Sequence, residues 1–253
     1  MIRVGVVGAA GKMGATVCDA VAAADGLQLA AAVDVVGGGG VVHGLSIASD
    51  LKALADAQCD VVVDFTVADA ARKTLPWLAL HGMHAVVGTT GFSDEDIASF
   101  GKAFTGSNCL IAANFAIGAV LMMKFAEQAA PYFETAEIIE FHHNAKQDAP
   151  SGTAMATAQR MAAASSEWAA DPTKHEVIPG ARGGVGPGGI HVHGVRMVGM
   201  TASQEVILGT AGQTLVIRHD SNDRVSFMPG VVLACRKVAS LGDRLTMGID
   251  SLL

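Results

Sequence analysis

Aromatic side chains are scarce in this sequence. Phe, Trp and Tyr make up 5% of its 253 residues, while Ala, Val and Gly are plentiful, a mix suited to a parallel sheet covered on both faces. Charge is sparse too: charged residues contribute 16% and hydrophobic ones 51%, which excludes extended disorder. There is no basic excess. The net charge of −7 argues against nucleic acid as a partner, and an acidic protein that binds an anion must gather its few cations locally. No CxxC pair occurs; Cys18, Cys59, Cys109 and Cys235 are widely spaced and read as buried, reduced thiols of a cytosolic protein. Long apolar runs are also missing. Mean hydropathy is +0.40, yet Gly, Asn, Asp or Lys interrupts each stretch well before the roughly 18 residues of a spanning helix. Phe115 to Met123, for example, is bounded by Asn114 and Lys124. The first apolar run is too brief for an export signal and passes straight into a Gly-rich turn. The expected location is the cytoplasm, without membrane association.

The length allows one large domain or two ordinary ones. β-branched runs at 2–7, Leu27 to Val33, Asp60 to Phe65, His84 to Val87 and Cys109 to Ala112 alternate with helical patterns. That alternation predicts an open parallel α/β sheet with right-handed crossovers. The GGGG run at 37–40 reads as a surface loop. After about residue 114 the pattern changes. A long helix from Ile117 to Ala130 stops at Pro131, a strand runs from Ala136 to Phe141, and an alanine-rich helix capped by Ser151 follows. Residues 163–189 read as a long irregular loop. Strand-like runs at His191 to Val198, Glu205 to Leu208 and Thr214 to Arg218, with Ala211-Gly212 as a turn between the last two, predict an α+β second domain with an antiparallel portion. Gly230 to Ser240 reads as a helix that returns to the first domain.

Between the first strand and first helix lies Gly8-Ala9-Ala10-Gly11-Lys12-Met13-Gly14. A nucleotide pyrophosphate needs such a turn: the first glycine makes it tight, the second lets backbone amides approach, and the third brings helix and strand together. The helix N-terminus adds unpaired N–H groups and partial positive charge. Twenty residues after Gly14 the second strand ends in Asp34, placed to accept from the adenosine ribose hydroxyls. Asp34 disfavours a 2′-phosphate, Val35 offers no compensating cation, and Lys12 is the nearby candidate for one. NADH is therefore expected to serve at least as well as NADPH. Phe65, Gly88-Thr89-Thr90 and Ala112-Ala113-Asn114-Phe115 also follow strand ends, where such a sheet binds its ligand.

The segment from Glu137 to Ala154, EIIEFHHNAKQDAPSGTA, holds His142, His143, Lys146 and a Ser-Gly-Thr helix start. Histidine and lysine can neutralise carboxylates and supply protons, and Gly152 and Thr153 can offer N–H groups to a carboxylate. In a regular strand His142 and His143 face opposite ways, so either the strand ends before them or they do different jobs. His191 and His193 suggest a metal, but no carboxylate or thiol at ligand spacing completes a set; no metal is expected.

HHNAKQDAPSGTA, together with GAAGKMG, DFT, VVGTTGF and AANFAIGA, closely resembles the 4-hydroxy-tetrahydrodipicolinate (dihydrodipicolinate) reductases. The motifs run in order from residue 2 to about residue 250, and parts of the chain look similar to actinobacterial members. The resemblance implies a Rossmann-type dinucleotide-binding domain built from 1–114 and 220–253. It also implies an inserted α+β domain, 115–219, with a mixed sheet for substrate binding and homotetramer assembly. It implies NADH- or NADPH-dependent reduction of a small cyclic dicarboxylate with loss of water, on the diaminopimelate route to lysine. His142 would occupy the acid/base position, Lys146 would donate a proton, and His143, Gly152 and Thr153 would hold substrate carboxylates. Gly8 to Met13, Asp34, Gly88 to Thr90 and Ala112 to Phe115 would bind the dinucleotide. Two rivals remain: a related amino-acid dehydrogenase, and a dinucleotide-binding module without catalysis.

Overall fold

The computed structural model describes residues 1–36 and 38–253. Gly37, the first residue of the expected GGGG loop, lies outside them. In chain order the elements are β1 (Ile2–Val7), α1 (Lys12–Ala23), β2 (Leu27–Val33), β3 (Val41–Val42), β4 (Leu45–Ala48), α2 (Lys52–Asp56), β5 (Val61–Asp64), α3 (Ala68–Leu80), β6 (His84–Val87), α4 (Asp94–Ala103) and β7 (Cys109–Ile111). There follow α5 (Ile117–Ala129), β8 (Thr135–His142), α6 (Gly152–Ala164), β9 (Gly184–Val185), β10 (His191–Arg196), β11 (Ala202–Thr210) and β12 (Gln213–Ser221). The chain closes with α7 (Met228–Lys237) and β13 (Leu245–Met247). It forms two compact units, Met1–Ile117 with Arg224–Leu253, and Gly118–Asp223.

The first unit carries a sheet in the order β13-β7-β6-β5-β1-β2-β4-β3. Its pairs are parallel except β3 with β4. From β1 the chain winds outward through β2 and β4, then returns to β5 on the other side of β1. That reversal is the switch point at which a doubly wound sheet opens a crevice beyond its strand ends. Val4, Val6, Val62, Val63, Val86 and Leu110 are all fully buried, as strands covered on both faces require. β3, β4 and β13 add strands to the expected pattern. Three-residue β13 is too short to show a period, and it is ordered by parallel pairing with β7.

The second unit has the sheet order β12-β11-β8-β10-β9. β8 and β10 are parallel and the other pairs antiparallel, so the sheet is mixed. Gly212, at φ +79, turns β11 into β12. α6 covers one face, where Gln204 Nε2 donates to Thr157 Oγ1 across 2.8 Å. β8 runs one residue beyond the expected end and includes His142, so His143 is the first residue past the strand. Among the described residues, no helix is long and apolar enough to cross a membrane. All four cysteines are free and buried.

Candidate active site

The glycine turn of the first unit shows what a dinucleotide would need. Gly8 has φ +83, and a Cβ on Gly14 would lie 2.0 Å from the Gly8 carbonyl oxygen. Only glycine lets α1 start this close to β1. Ala10, Gly11 and Lys12 are exposed at that helix start, with Met13 half-buried behind them, and no side chain caps the helix. Its first N–H groups are thus offered to an anion. Asp34, at the end of β2, accepts from the Ala10 N–H at 3.1 Å and from Val36 N–H at 3.0 Å. One carboxylate therefore braces the turn from the end of the second strand. These residues fit a nicotinamide dinucleotide.

The neighbouring strand ends are locked to one another. Asp64 is fully buried. Its Oδ1 accepts from Thr66 N–H, Thr66 Oγ1 and Thr89 Oγ1 at 3.0, 2.7 and 2.9 Å. Burial pushes its carboxyl above the ordinary range, against the pull of the Thr66 and Thr89 hydrogen bonds. The Thr89 hydroxyl is thereby engaged inside the unit, and Thr90 is the exposed one of the pair. Phe65 packs on Phe115 with ring centroids 5.7 Å apart. Ala112 and Phe115 are buried, Asn114 is half-buried and Ala113 is exposed, so backbone and Ala113 present the accessible surface here. Asp64, in the DFT motif, thus ties the ends of β5 and β6 together from inside the unit rather than facing outward.

In the second unit the residues from His142 to Thr153 gather around the end of β8 and the start of α6. Ser151 caps α6, its hydroxyl accepting from Ala154 N–H at 3.2 Å. Gly152 is exposed and Thr153 half-buried in the first turn. Lys146 Nζ donates to both Asp148 oxygens at 2.8 and 2.9 Å, which holds Asp148 below the usual carboxylate range. His143 is exposed, and its carbonyl accepts from Lys146 N–H at 3.1 Å. His142 Nδ1 meets Glu140 Oε2 at 2.5 Å. Arg196 of β10 reaches the same carboxylate through both Nη atoms, at 2.8 and 2.7 Å. Neither Glu140 nor Arg196 stood among the expected site residues. For Glu140 a signal existed: it is two residues before His142 in a strand, hence on the same face. Among the described residues no group of three or more His, Cys, Asp or Glu side chains forms a metal site.

The models for the N-terminal and C-terminal parts of dihydrodipicolinate reductase match residues 2–115 and 118–253. The chain belongs to the dihydrodipicolinate reductase family. It is 54% identical over 260 residues to a 4-hydroxy-tetrahydrodipicolinate reductase of Thermobifida fusca, covering 100% of this chain and 99% of the relative. It is 49% identical over 256 residues to the enzyme of that name from Mycolicibacterium smegmatis, with the same coverage. Among solved structures, a dipicolinate-bound dihydrodipicolinate reductase from Paenisporosarcina sp. TG-14 aligns with a TM-score of 0.89, at 35% identity and over the whole of both chains. The family places this chain among the oxidoreductases, with a Rossmann-type dinucleotide-binding unit.

Proposed function

We propose that this chain reduces 4-hydroxy-2,3,4,5-tetrahydrodipicolinate to 2,3,4,5-tetrahydrodipicolinate with loss of water, using NADH or NADPH. The observation that carries the reading is the grouping of an imidazole, an ammonium and the Ser151-capped start of α6 around the end of β8. That grouping brings together two side chains that carry protons, His142 and Lys146, each held by a carboxylate of this chain, beside backbone N–H groups suited to a carboxylate. The dinucleotide supplies the hydride when bound, and its holders would be Gly8, Ala9, Ala10, Gly11, Lys12, Met13, Asp34, Phe65, Gly88, Thr89, Thr90, Ala112, Ala113, Asn114 and Phe115. Asp34 favours NADH by repelling a 2′-phosphate.

On the substrate side, His143 and the N–H groups of Gly152 and Thr153 hold the two carboxylates. Lys146 exchanges its Asp148 contact for the substrate and delivers the proton that completes reduction. His142 orients and polarises the ring. Free buried thiols suit the cytoplasm. The outer strand β12, with Val216 51% and Leu215 37% exposed, suits assembly into a homotetramer, which light scattering would check. The deciding experiment is an assay of NADH and NADPH oxidation with the cyclic substrate generated in situ. Turnover with either supports the reading; dinucleotide binding without turnover would make the chain a binding module instead.

A further inference from the structure

Glu140 is a carboxylate with 0% exposure on the α6-covered face of the second sheet, and it makes every hydrogen bond its two oxygens are offered. Oε1 accepts from Arg196 Nη2 at 2.7 Å and from the Ser151 N–H at 3.1 Å. Oε2 accepts from Arg196 Nη1 at 2.8 Å and meets His142 Nδ1. We propose that Glu140, braced by Arg196, is the positioning residue that sets the tautomer of His142 and ties it to the substrate-binding start of α6. The inference rests on the role given above to His142.

Three observations carry it. An ionised carboxylate only accepts hydrogen bonds, and the paired contact from Arg196 is the arrangement that keeps a buried one ionised. His142 must then carry its hydrogen on Nδ1, which leaves Nε2 as the nitrogen that can gain or lose a proton. Arg196 Nη2 also donates to the Asp148 carbonyl at 2.7 Å, and Ser151 N–H to Glu140 Oε1. The loop carrying Lys146 and the turn before Gly152 are therefore pinned to the same ion pair as the imidazole. Finally, the sheet makes room for this group. Gly194 pairs with Glu140 in the β10–β8 register, and a Cβ there would lie 3.2 Å from Glu140 Oε1.

The test uses full-length protein labelled with 15N-histidine, as wild type, Glu140→Gln, His142→Ala and the double variant. A glutamine cannot accept from both Arg196 and His142 through both of its terminal atoms. The expected result is an Nδ1–H tautomer at His142 in the wild type and its loss in Glu140→Gln. In the same variant kcat should fall about 10²-fold while the NADH dissociation constant is retained. The double variant should be no slower than His142→Ala, because the two act as a unit. Losses that multiply, or an unchanged tautomer with unchanged kcat, would overturn the inference. Full activity in His142→Ala alone would instead remove His142 from the proposed mechanism, leaving the tautomer measurement to decide the contact. Should Glu140→Gln not fold, Gly194→Ala presses on the carboxylate from the facing strand. Reduced kcat with intact NADH binding supports the proposal, and wild-type kcat with an unshifted imidazole signal overturns it.

Discussion

Gly88 stands so close to Phe65 that a Cβ on the glycine would fall 2.0 Å from the phenyl ring. The two residues follow β5 and β6, neighbouring strands of the first sheet, and Phe65 also packs on Phe115 after β7. Three strand ends at the crevice side are thus joined through one ring, and the missing side chain at Gly88 is what admits it. Gly88→Ala should displace that ring at a cost of about 1–3 kcal/mol and raise the KM for dinucleotide. Thermal denaturation and NADH titration check this; a variant with wild-type values in both would show that the ring is free to move.

Asp34 combines two contacts in one carboxylate, bracing the Ala10 N–H and presenting a negative charge at the end of β2. Asp34→Ser keeps a short polar side chain and removes the charge. The ratio of kcat/KM for NADH over NADPH should fall by about tenfold, the worth of a single charge-assisted hydrogen bond. Steady-state kinetics with both dinucleotides measures it. An unchanged ratio would assign the preference elsewhere, with Lys12 the first residue to examine.

Lys146 is paired with the exposed Asp148. Lys146→Ala should lower kcat by roughly 10²–10⁴-fold, the usual range for a positioned acid, while NADH affinity stays the same. Single-turnover kinetics and fluorescence titration separate the two quantities. A variant that keeps its kcat has no need of the ammonium as proton donor.

Asp96 gives the pH dependence its sign. The Arg72 guanidinium donates to both of its oxygens at 3.0 Å from Nε, and Ser93 N–H donates as part of the α4 capping box. Arg72 first, then Ser93, holds its carboxyl down at about 2, from an ordinary 3.8. A depressed carboxylate stabilises the folded state fully above its unfolded value and loses that contribution as pH falls through the folded one. The difference in Tm between wild type and Asp96→Asn should therefore hold steady from neutrality to about pH 4 and shrink between about pH 4 and 2. A difference that is the same at pH 2 and pH 7 would contradict the pairing.

Some of this architecture was open to reading from local pattern. The change from a short continuous apolar run to a helical pattern around Gly8 to Gly14 marks a strand, a turn and a helix in sequence. The Asp at the end of the next strand then gives the turn a purpose. HHNAKQDAPSGTA announced its cations and its helix cap within a few turns of chain. Asn108 was not readable in this way. Its side-chain nitrogen donates to the carbonyls of Val238, Ala239 and Leu241, more than a hundred residues away, and nothing near it in sequence hints at those partners. The same holds for β10, whose parallel pairing with β8 brings Arg196 to a glutamate 56 positions earlier.

The amino-acid order by itself determined the longer strands and helices, the glycine turn after β1 and the Ser151 cap of α6. Those properties depend on residues a few positions apart, where backbone geometry leaves few choices. Only the tertiary structure decided which strand borders which, and hence that Glu140, Arg196, Ser151 and His142 share one buried ion pair. Burial is a property of the whole packed unit, and a carboxylate acquires or loses its partners only when distant strands have closed around it.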